Sequence, residues 1–527
     1  MTASSTAPRT ERRKRLIEVA FPLEEVSEHS RREKNVRHGH ISTLHIWWAR
    51  RPLAACRAFI YASLVDDPED DREREELLKE VADLASWDAV RKPDQVVRSK
   101  EKGGSGLTGR QLLERARQRI LDCNNGKPPR LLDPFAGGGA IPLEALRLGC
   151  EVEASDLNPV AVLILKCTLE YPQKYGQPNS LEVPEYISEA AAAGSQKGFF
   201  DGDLVDAYKK NPLATDVRYW GNWMLERARE ELAEFYPRDP DGSVPVAYLW
   251  SRTVPCPSCG AEMPLIRQYW LARKENKKVA LKPILDRSTN TIDFEVVEGS
   301  NVTGDPTVAT TTRGDTICLL CNQIAKASEV RESARKGGMG TTMTAVILES
   351  NGASGKRHRA DSSADNRAFE AAIARLDALE KDAPSGLSLI PDEPIDPSTL
   401  GVRVTSFGIK TWAELFNARQ LLALLTFSRL VRDTHTALLR CGMEEGYAKA
   451  VATYLSLATD RLSDYGSELA RRLATVQAPA GTFGRQALPM VWDYCEVALP
   501  VDSGGGFPGA LRWIVEVIEH VVEGTAG

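Results

Sequence analysis

An α/β fold is what this sequence predicts, and three observations lead there. Residues 131–159 read as strand, glycine turn, helix, strand and helix start, the order of a βαβ unit in a parallel sheet. Two Cys-x-x-Cys pairs bracket a strand-rich stretch between 254 and 325. Residues 366–380 and 411–474 carry apolar side chains at helical spacing. The expected architecture is a parallel sheet that is only partly present, a zinc-ribbon-like insert and a helical C-terminal region.

Four regions follow in order, in keeping with about 150 residues per domain. Residues 1–105 are a basic and aromatic opening region, with the run Arg37-His-Gly-His-Ile-Ser-Thr-Leu-His-Ile-Trp-Trp-Ala-Arg-Arg51. Residues 66–104 are so charged that they read as exposed helix and linker. Residues 106–250 are the α/β core. Leu112, Leu113, Ala116, Ile120 and Leu121 predict a helix over 108–123. Leu131 and Leu132 form a short buried strand, Gly137–Gly139 a turn, 140–148 a helix and 152–155 a second strand. Pro159, with its fixed φ and no N–H, opens the next helix. Residues 251–345 are the cysteine-bearing insert. Residues 346–527 are mostly helical, with Gly/Ser/basic loops at 335–340 and 351–365 flanking their start and an amphipathic helix at 511–522.

Composition narrows the function classes. Hydrophobic residues are 42% and charged residues 27%, which excludes a wholly disordered chain. Lys plus Arg is 67 against 73 Asp plus Glu, a net charge of −6, which excludes a histone-like polycation but not a local basic face. No apolar run approaches the roughly 18 residues that a membrane span needs, so none is expected. The first residues lack the apolar segment of a secretory signal. A reducing cytoplasm is therefore expected, where paired cysteines read as metal ligands.

The strongest chemical signal is Asp133-Pro-Phe-Ala-Gly-Gly-Gly-Ala140 followed by Ala154-Ser-Asp-Leu-Asn-Pro159. A turn without β-carbons lets a cofactor lie on bare backbone. The helix behind it offers free N–H groups. Asp156 stands at the end of the second strand, where a doubly wound fold places a carboxylate for ribose hydroxyls. The turn is not G-x-G-x-x-G, which weakens a dinucleotide reading, and a glycine turn in some other α/β protein is the plain alternative. The pattern resembles the cofactor site of S-adenosylmethionine-dependent methyltransferases of the amino-methylating DNA class. That resemblance implies a Rossmann-like core, with Asp133, Pro134, Phe135, Gly137 and Gly139 around the cofactor and Asp156 on its ribose. Asn158 is a further candidate, although an asparagine at a helix start is as often only a cap.

The whole chain resembles adenine-specific DNA methylases that open with a domain of unknown function. Some members are encoded among anti-phage defence genes. The residues that carry the resemblance are Arg37–Ala55, the glycine motif, Cys256-Pro-Ser-Cys-Gly260 and Arg485-Gln-Ala-Leu-Pro-Met-Val-Trp-Asp493. In that family a later Asp-Pro-Pro-Tyr-type motif holds the target base, flipped from the helix. Here the sole Pro-Pro pair is Pro128-Pro129, after Lys127, so no catalytic residue is assigned. The resemblance thus implies the cofactor-binding and DNA-recognition part of an adenine-N6 methyltransferase, less readily a cytosine-N4 one. A partner polypeptide or a C-terminal continuation would supply the catalytic motif. The alternative is a non-catalytic, zinc-containing DNA-binding subunit in which S-adenosylmethionine is structural or regulatory. Methylation of RNA or protein is a third reading.

Cys256, Cys259, Cys318 and Cys321 form a four-thiolate set. Each Cys-x-x-Cys turn aims two sulfurs at one ion, and two such turns close a tetrahedral structural Zn2+ site. Gly260 and Asn322 suit a left-handed backbone after each pair. A redox pair and unmetallated thiols are the other readings. The intervening segment, 260–317, is longer than usual ribbon spacing and implies an inserted subdomain. Pro255-Cys256 superficially matches the nucleophile of cytosine C5 methyltransferases, but the second cysteine favours zinc. Cys56, Cys123, Cys150, Cys167, Cys441 and Cys495 are expected in apolar cores.

His38, His40, His45, Trp47, Trp48, Arg50 and Arg51 have two readings: a border of the cofactor pocket or DNA contacts, or core tryptophans with paired arginines. A histidine metal site is a weaker third. Arg331, Arg335, Lys336, Lys356, Arg357, His358 and Arg359 either follow a phosphate backbone or are solvated. Trp412, Phe416, Arg419 and Gln420 sit on a helical pattern, on which Trp412 and Phe416, at i and i+4, read as core, with a base-stacking platform as the alternative.

Overall fold

Local signals set most of the helix ends. Thr108 accepts the N–H of Gln111 at 3.3 Å, and Gln111 returns the bond to the Thr108 N–H at 3.0 Å, which starts the helix Gly109–Cys123. Ser362 with Asp365 and Asn417 with Gln420 start Ser363–Lys381 and Ala418–Arg440 in the same way. The computed structural model describes residues 13–97, 105–178, 182–194, 203–349, 355–383 and 388–525. The basic residues before 13, the 98–104 end of the charged linker and residues 351–354 of the predicted loop lie outside them.

The chain is mixed α and β, in two compact units. The first comprises residues 1–195, 200–216 and 513–527, and the second 196–199 and 217–512.

In the first unit the helices Leu23–Glu33, Leu53–Leu64, Asp71–Ala85 and Gly109–Cys123 enclose a core that includes Tyr61, Val81, Leu84, Leu112, Ile120 and Leu148. The charged stretch is therefore not simply exposed. Asp71–Ala85 buries Leu77, Val81, Leu84 and Ala85 on one face and shows most of its charges on the other. The predicted strands are Arg130–Asp133 and Glu151–Ala154, parallel and in register from Arg130↔Glu151 to Asp133↔Ala154. Ala140–Arg147 crosses between them, and Pro159–Leu165 follows. Among the described residues this sheet has only two strands. Leu132, expected buried, is consequently 66% exposed.

The second unit is built on the strand Val244–Pro255, which runs through residue 250. The antiparallel order around it is Lys356–Arg359, Gly340–Glu349, Val244–Pro255 and Asp493–Val497. Two of the predicted basic loops are thus partly sheet: Gly340 opens one strand and Lys356–Arg359 is another, before the helix Ser363–Lys381. The insert holds a second antiparallel sheet of Trp270–Lys274, Lys277–Asp286 and Thr291–Glu298. The C-terminal region supplies Ala418–Arg440, Glu445–Tyr465 and the strand Asp493–Val497. The 511–522 helix extends over Phe507–Thr525, and from residue 513 on it belongs to the first unit.

Trp412 and Phe416 flank a short 3-10 turn, Ala413–Leu415, rather than sharing a helix, and Trp412 is 39% exposed. Arg419 and Gln420 are buried. The Arg419 guanidinium bonds both carboxylate oxygens of Glu496, at 2.5 and 2.9 Å, and lies 3.8 Å from the Tyr248 ring centre. Trp250 and Asn417 donate to the same carboxylate at 2.7 and 3.0 Å.

Candidate functional site

The glycine turn leaves the first strand at Asp133, whose carboxylate accepts the Phe135 N–H at 3.2 Å. Pro134 follows, its carbonyl accepting the Ser155 hydroxyl at 3.3 Å. The Ala136 N–H donates to the Ser155 carbonyl at 3.0 Å, which ties the turn to the end of the second strand. Gly137 and Gly139 are left-handed, with φ of 51° and 78°, and Gly139 caps the helix Ala140–Arg147.

Asp156 is bonded to the same turn. One carboxylate oxygen accepts the Gly137 N–H and the other the Asn158 N–H, both at 2.8 Å. The Asn158 N–H, then that of Gly137, hold its carboxyl below the usual carboxylate range. A carboxylate has about four lone-pair sites, so Asp156 keeps capacity for hydroxyl donors. Asn158 itself caps the next helix by accepting the Val160 N–H at 2.9 Å. Phe135 and Leu157, next to these groups, are 83% and 95% exposed. The arrangement offers an ionised acid and two exposed apolar side chains beside the turn.

The opening region supplies a neighbour that spacing does not reveal. A β-carbon added to Gly137 would lie 2.6 Å from Trp47 Nε1, and one on Gly138 3.3 Å from Trp47 Cδ1. Trp47 thus lies across the turn, half-buried, while Trp48 is mostly outside and is not a core residue. His40 is fully buried, its Nε2 2.9 Å from Glu33. Glu33 also accepts the N–H groups of Leu53 and Ala54, both at 2.9 Å, and so caps the helix Leu53–Leu64. Burial opposes ionisation of Glu33, but the His40 bond and these two N–H groups outweigh it and lower its carboxyl. Nothing in the sequence singles out Glu33, because a carboxylate that caps a helix so far downstream has no local signature.

In the second unit the four cysteines converge, with all ligand sulfurs within 4.8 Å of one another. The Cys256–Cys321 and Cys259–Cys318 sulfurs are each 3.7 Å apart. A zinc–sulfur bond of about 2.3 Å gives a tetrahedron edge of about 3.8 Å, so four thiolates here fit one ion. The two turns repeat one geometry. Gly260 N–H bonds the Cys256 carbonyl and Asn322 N–H the Cys318 carbonyl, each at 2.9 Å. Gly260 and Asn322 are left-handed, at φ 74° and 60°, as expected from sequence. Burial opposes ionisation of Cys256, but the N–H groups of Cys259 and Ser258 bring its thiol down to about 7, whereas burial pushes Cys318 up to about 12. Val254, Met263, Leu265, Leu320, Val330 and Trp492 pack around the cluster. Among the described residues the histidines of the opening region join no comparable group. Of the other cysteines, Cys56, Cys150, Cys167 and Cys495 are buried, Cys123 is intermediate and Cys441 is exposed just past the end of Ala418–Arg440.

The basic residues around 357 are largely committed. Arg359 bonds Asp239 and Asp365, each at 2.7 Å, and Arg357 reaches Asp239 and Asp241 at 3.2 and 2.9 Å. Lys336 pairs with Glu332 at 2.7 Å. His358 is buried between Arg357 and Arg359 on its strand. The motif at 485–493 is structural too: the Val491 carbonyl accepts from buried Arg252 at 2.9 Å, and the chain then enters the strand Asp493–Val497.

No curated protein and no solved structure matches the chain. A family model described as a protein of unknown function (DUF1156) matches residues 20–87, the segment that contains Glu33, His40 and Trp47.

Proposed function

We propose that this chain is the S-adenosylmethionine-binding and DNA-recognition part of an adenine-N6 DNA methyltransferase of a phage-defence or modification system. A further polypeptide, or a continuation of the chain, supplies the catalytic motif. The observation that carries the reading is the bond between Asp156 and the Gly137 N–H at adjacent parallel strand ends. A carboxylate held at that strand end is suited to ribose hydroxyls, which supports the reading of a Rossmann-like core. The exposed Phe135 and Leu157 offer apolar surface for an adenine ring. The four-cysteine site would hold a structural Zn2+ that stiffens the recognition part.

The need for another polypeptide is supported by the sheet. Parallel sheets are normally covered on both faces and rarely stop at two strands. Here Leu132 and Leu163 are exposed around a parallel ladder that has two strands among the described residues. Added strands would cover them and carry the missing base-binding residues next to the glycine turn.

Equilibrium binding of S-adenosylmethionine, together with methyl transfer to unmodified DNA by this chain alone, tests the proposal. Cofactor binding without transfer is expected. Absence of binding refutes the cofactor reading. Appearance of N6-methyladenine refutes the need for another polypeptide.

A further inference from the structure

The hairpin of Trp270–Lys274 and Lys277–Asp286 sets like charges against each other: Lys274 stands opposite Lys277, and Arg273 opposite Lys278. Like charges directly opposite destabilise a sheet. Lys274 and Lys277 lie on the face of the hairpin that carries buried Val279 and Leu281. There the Lys277 ammonium donates to the Lys356 carbonyl, which ties the strand Lys356–Arg359 to the lysine pair.

A further cation arrives from the strand Arg471–Leu473. The Arg472 Nε donates to the Leu271 carbonyl at 3.4 Å, and its Nη2 is buried without a partner. His358, two residues on from Lys356 and on the same face of its strand, is buried with both ring nitrogens unpartnered. The charges of Arg472, Lys277 and Lys356 act on that ring, and those of Arg472 and Lys274 act on Lys356, so these side chains form one group. Two acids stand near, Glu349 opposite Lys356 and Glu275 in the hairpin turn. Among the described residues, however, no carboxylate is paired with Lys274, Lys277, Lys356 or Arg472. Buried donors without partners cost free energy that a bound acceptor restores. Lys274 is exposed and Lys277, Lys356 and Arg472 are half-buried, so the group can be reached from solvent.

We infer that Lys274, Lys277, Lys356 and Arg472 form a binding site for a phosphate group. A phosphate presents several charged acceptor oxygens at once, which suits one guanidinium fork beside compact ammonium groups. It comes either from a nucleic-acid backbone, which rests on the DNA-recognition reading given above, or from a free phosphate compound, which does not.

The test compares wild type with a variant carrying Lys274→Gln, Lys356→Gln and Arg472→Gln. Each is titrated with inorganic phosphate by calorimetry, against chloride at equal ionic strength, and with labelled unmodified duplex DNA by fluorescence anisotropy at several salt concentrations. A matched control, Lys282→Gln with Lys326→Gln and Lys336→Gln, removes three cations that are already paired with Glu295, Asp315 and Glu332. Wild type and control should bind phosphate alike, and the variant about tenfold more weakly, the factor that one charge-assisted hydrogen bond supplies. If the phosphate belongs to DNA, the variant also loses DNA affinity, and its dependence of log K on log salt flattens by about three. Lost phosphate binding with unchanged DNA binding identifies a free phosphate compound as the occupant. If wild type binds no DNA, the DNA-recognition reading falls and the phosphate titration still decides the site. The inference is overturned if wild type binds neither ligand, if the variant matches wild type in both titrations, or if the control loses as much as the variant. Removing like charges relieves repulsion, so the variant should melt no lower than wild type. Should it not fold, Lys274→Gln alone, at an exposed side chain, decides by the same readings.

Discussion

Replacing Cys318 with serine removes one of four sulfurs from the cluster at its most buried point, where Cys318 is 0% exposed. Its sulfur is 3.7 Å from that of Cys259. That is close to the edge of about 3.8 Å that four zinc–sulfur bonds of about 2.3 Å require. A hydroxyl does not replace a thiolate as a zinc ligand, so the tetrahedron is broken. Zinc binding to a four-thiolate site is worth on the order of 10 kcal/mol by analogy with zinc peptides, and it couples to local folding. The packing of Val254, Met263, Leu265, Leu320 and Trp492 around the sulfurs should loosen with it. Elemental analysis of dialysed protein should give about one zinc per wild-type chain and much less for Cys318→Ser. X-ray absorption of the wild type should show four sulfur neighbours at about 2.3 Å. Limited proteolysis should cut the variant within 254–325 first. Cys441→Ser, at an exposed thiol, is the control and should keep its metal. If the wild type purifies without metal and takes up none, or if Cys318→Ser retains the full complement, the four thiols are a core cluster and not a ligand set.

Other expectations concern buried charge. Arg419→Met leaves Glu496 charged and buried, which should cost about 3–5 kcal/mol in denaturant unfolding. Arg419→Met with Glu496→Leu should cost less than the sum of the two single changes. His358 is neutral in the folded chain: burial first, then Arg472, Lys277 and Lys356, lower its pKa to about 3. The unfolded chain protonates this group below about 6.5, so the unfolded state binds the extra proton and stability falls as pH drops from about 6.5 toward 3. At pH 5 the loss is about 2 kcal/mol, and His358→Leu should flatten that part of the stability curve measured by urea unfolding. An unchanged slope would mean that His358 is already protonated in the folded chain.

The sequence by itself determined whatever is written within a few residues. The left-handed Gly260 and Asn322 and the strand–turn–helix around Gly137–Gly139 depend on neighbours a few positions away, and each stands where its pattern places it. The two Cys-x-x-Cys turns were equally legible, because each one fixes the direction of its own pair of sulfurs. Their union across the segment 260–317 then follows from what four thiolates demand. Tertiary structure alone decided the rest. It laid Trp47 on Gly137 and Gly138, aimed Glu33 at two helix N–H groups and spent Arg357 and Arg359 on Asp239. It also left Leu132 bare, a residue whose neighbours in sequence predict burial, because only two strands pair there among the described residues. Burial is a property of what the rest of a chain brings to a surface, and apolar spacing records only that a surface wants covering.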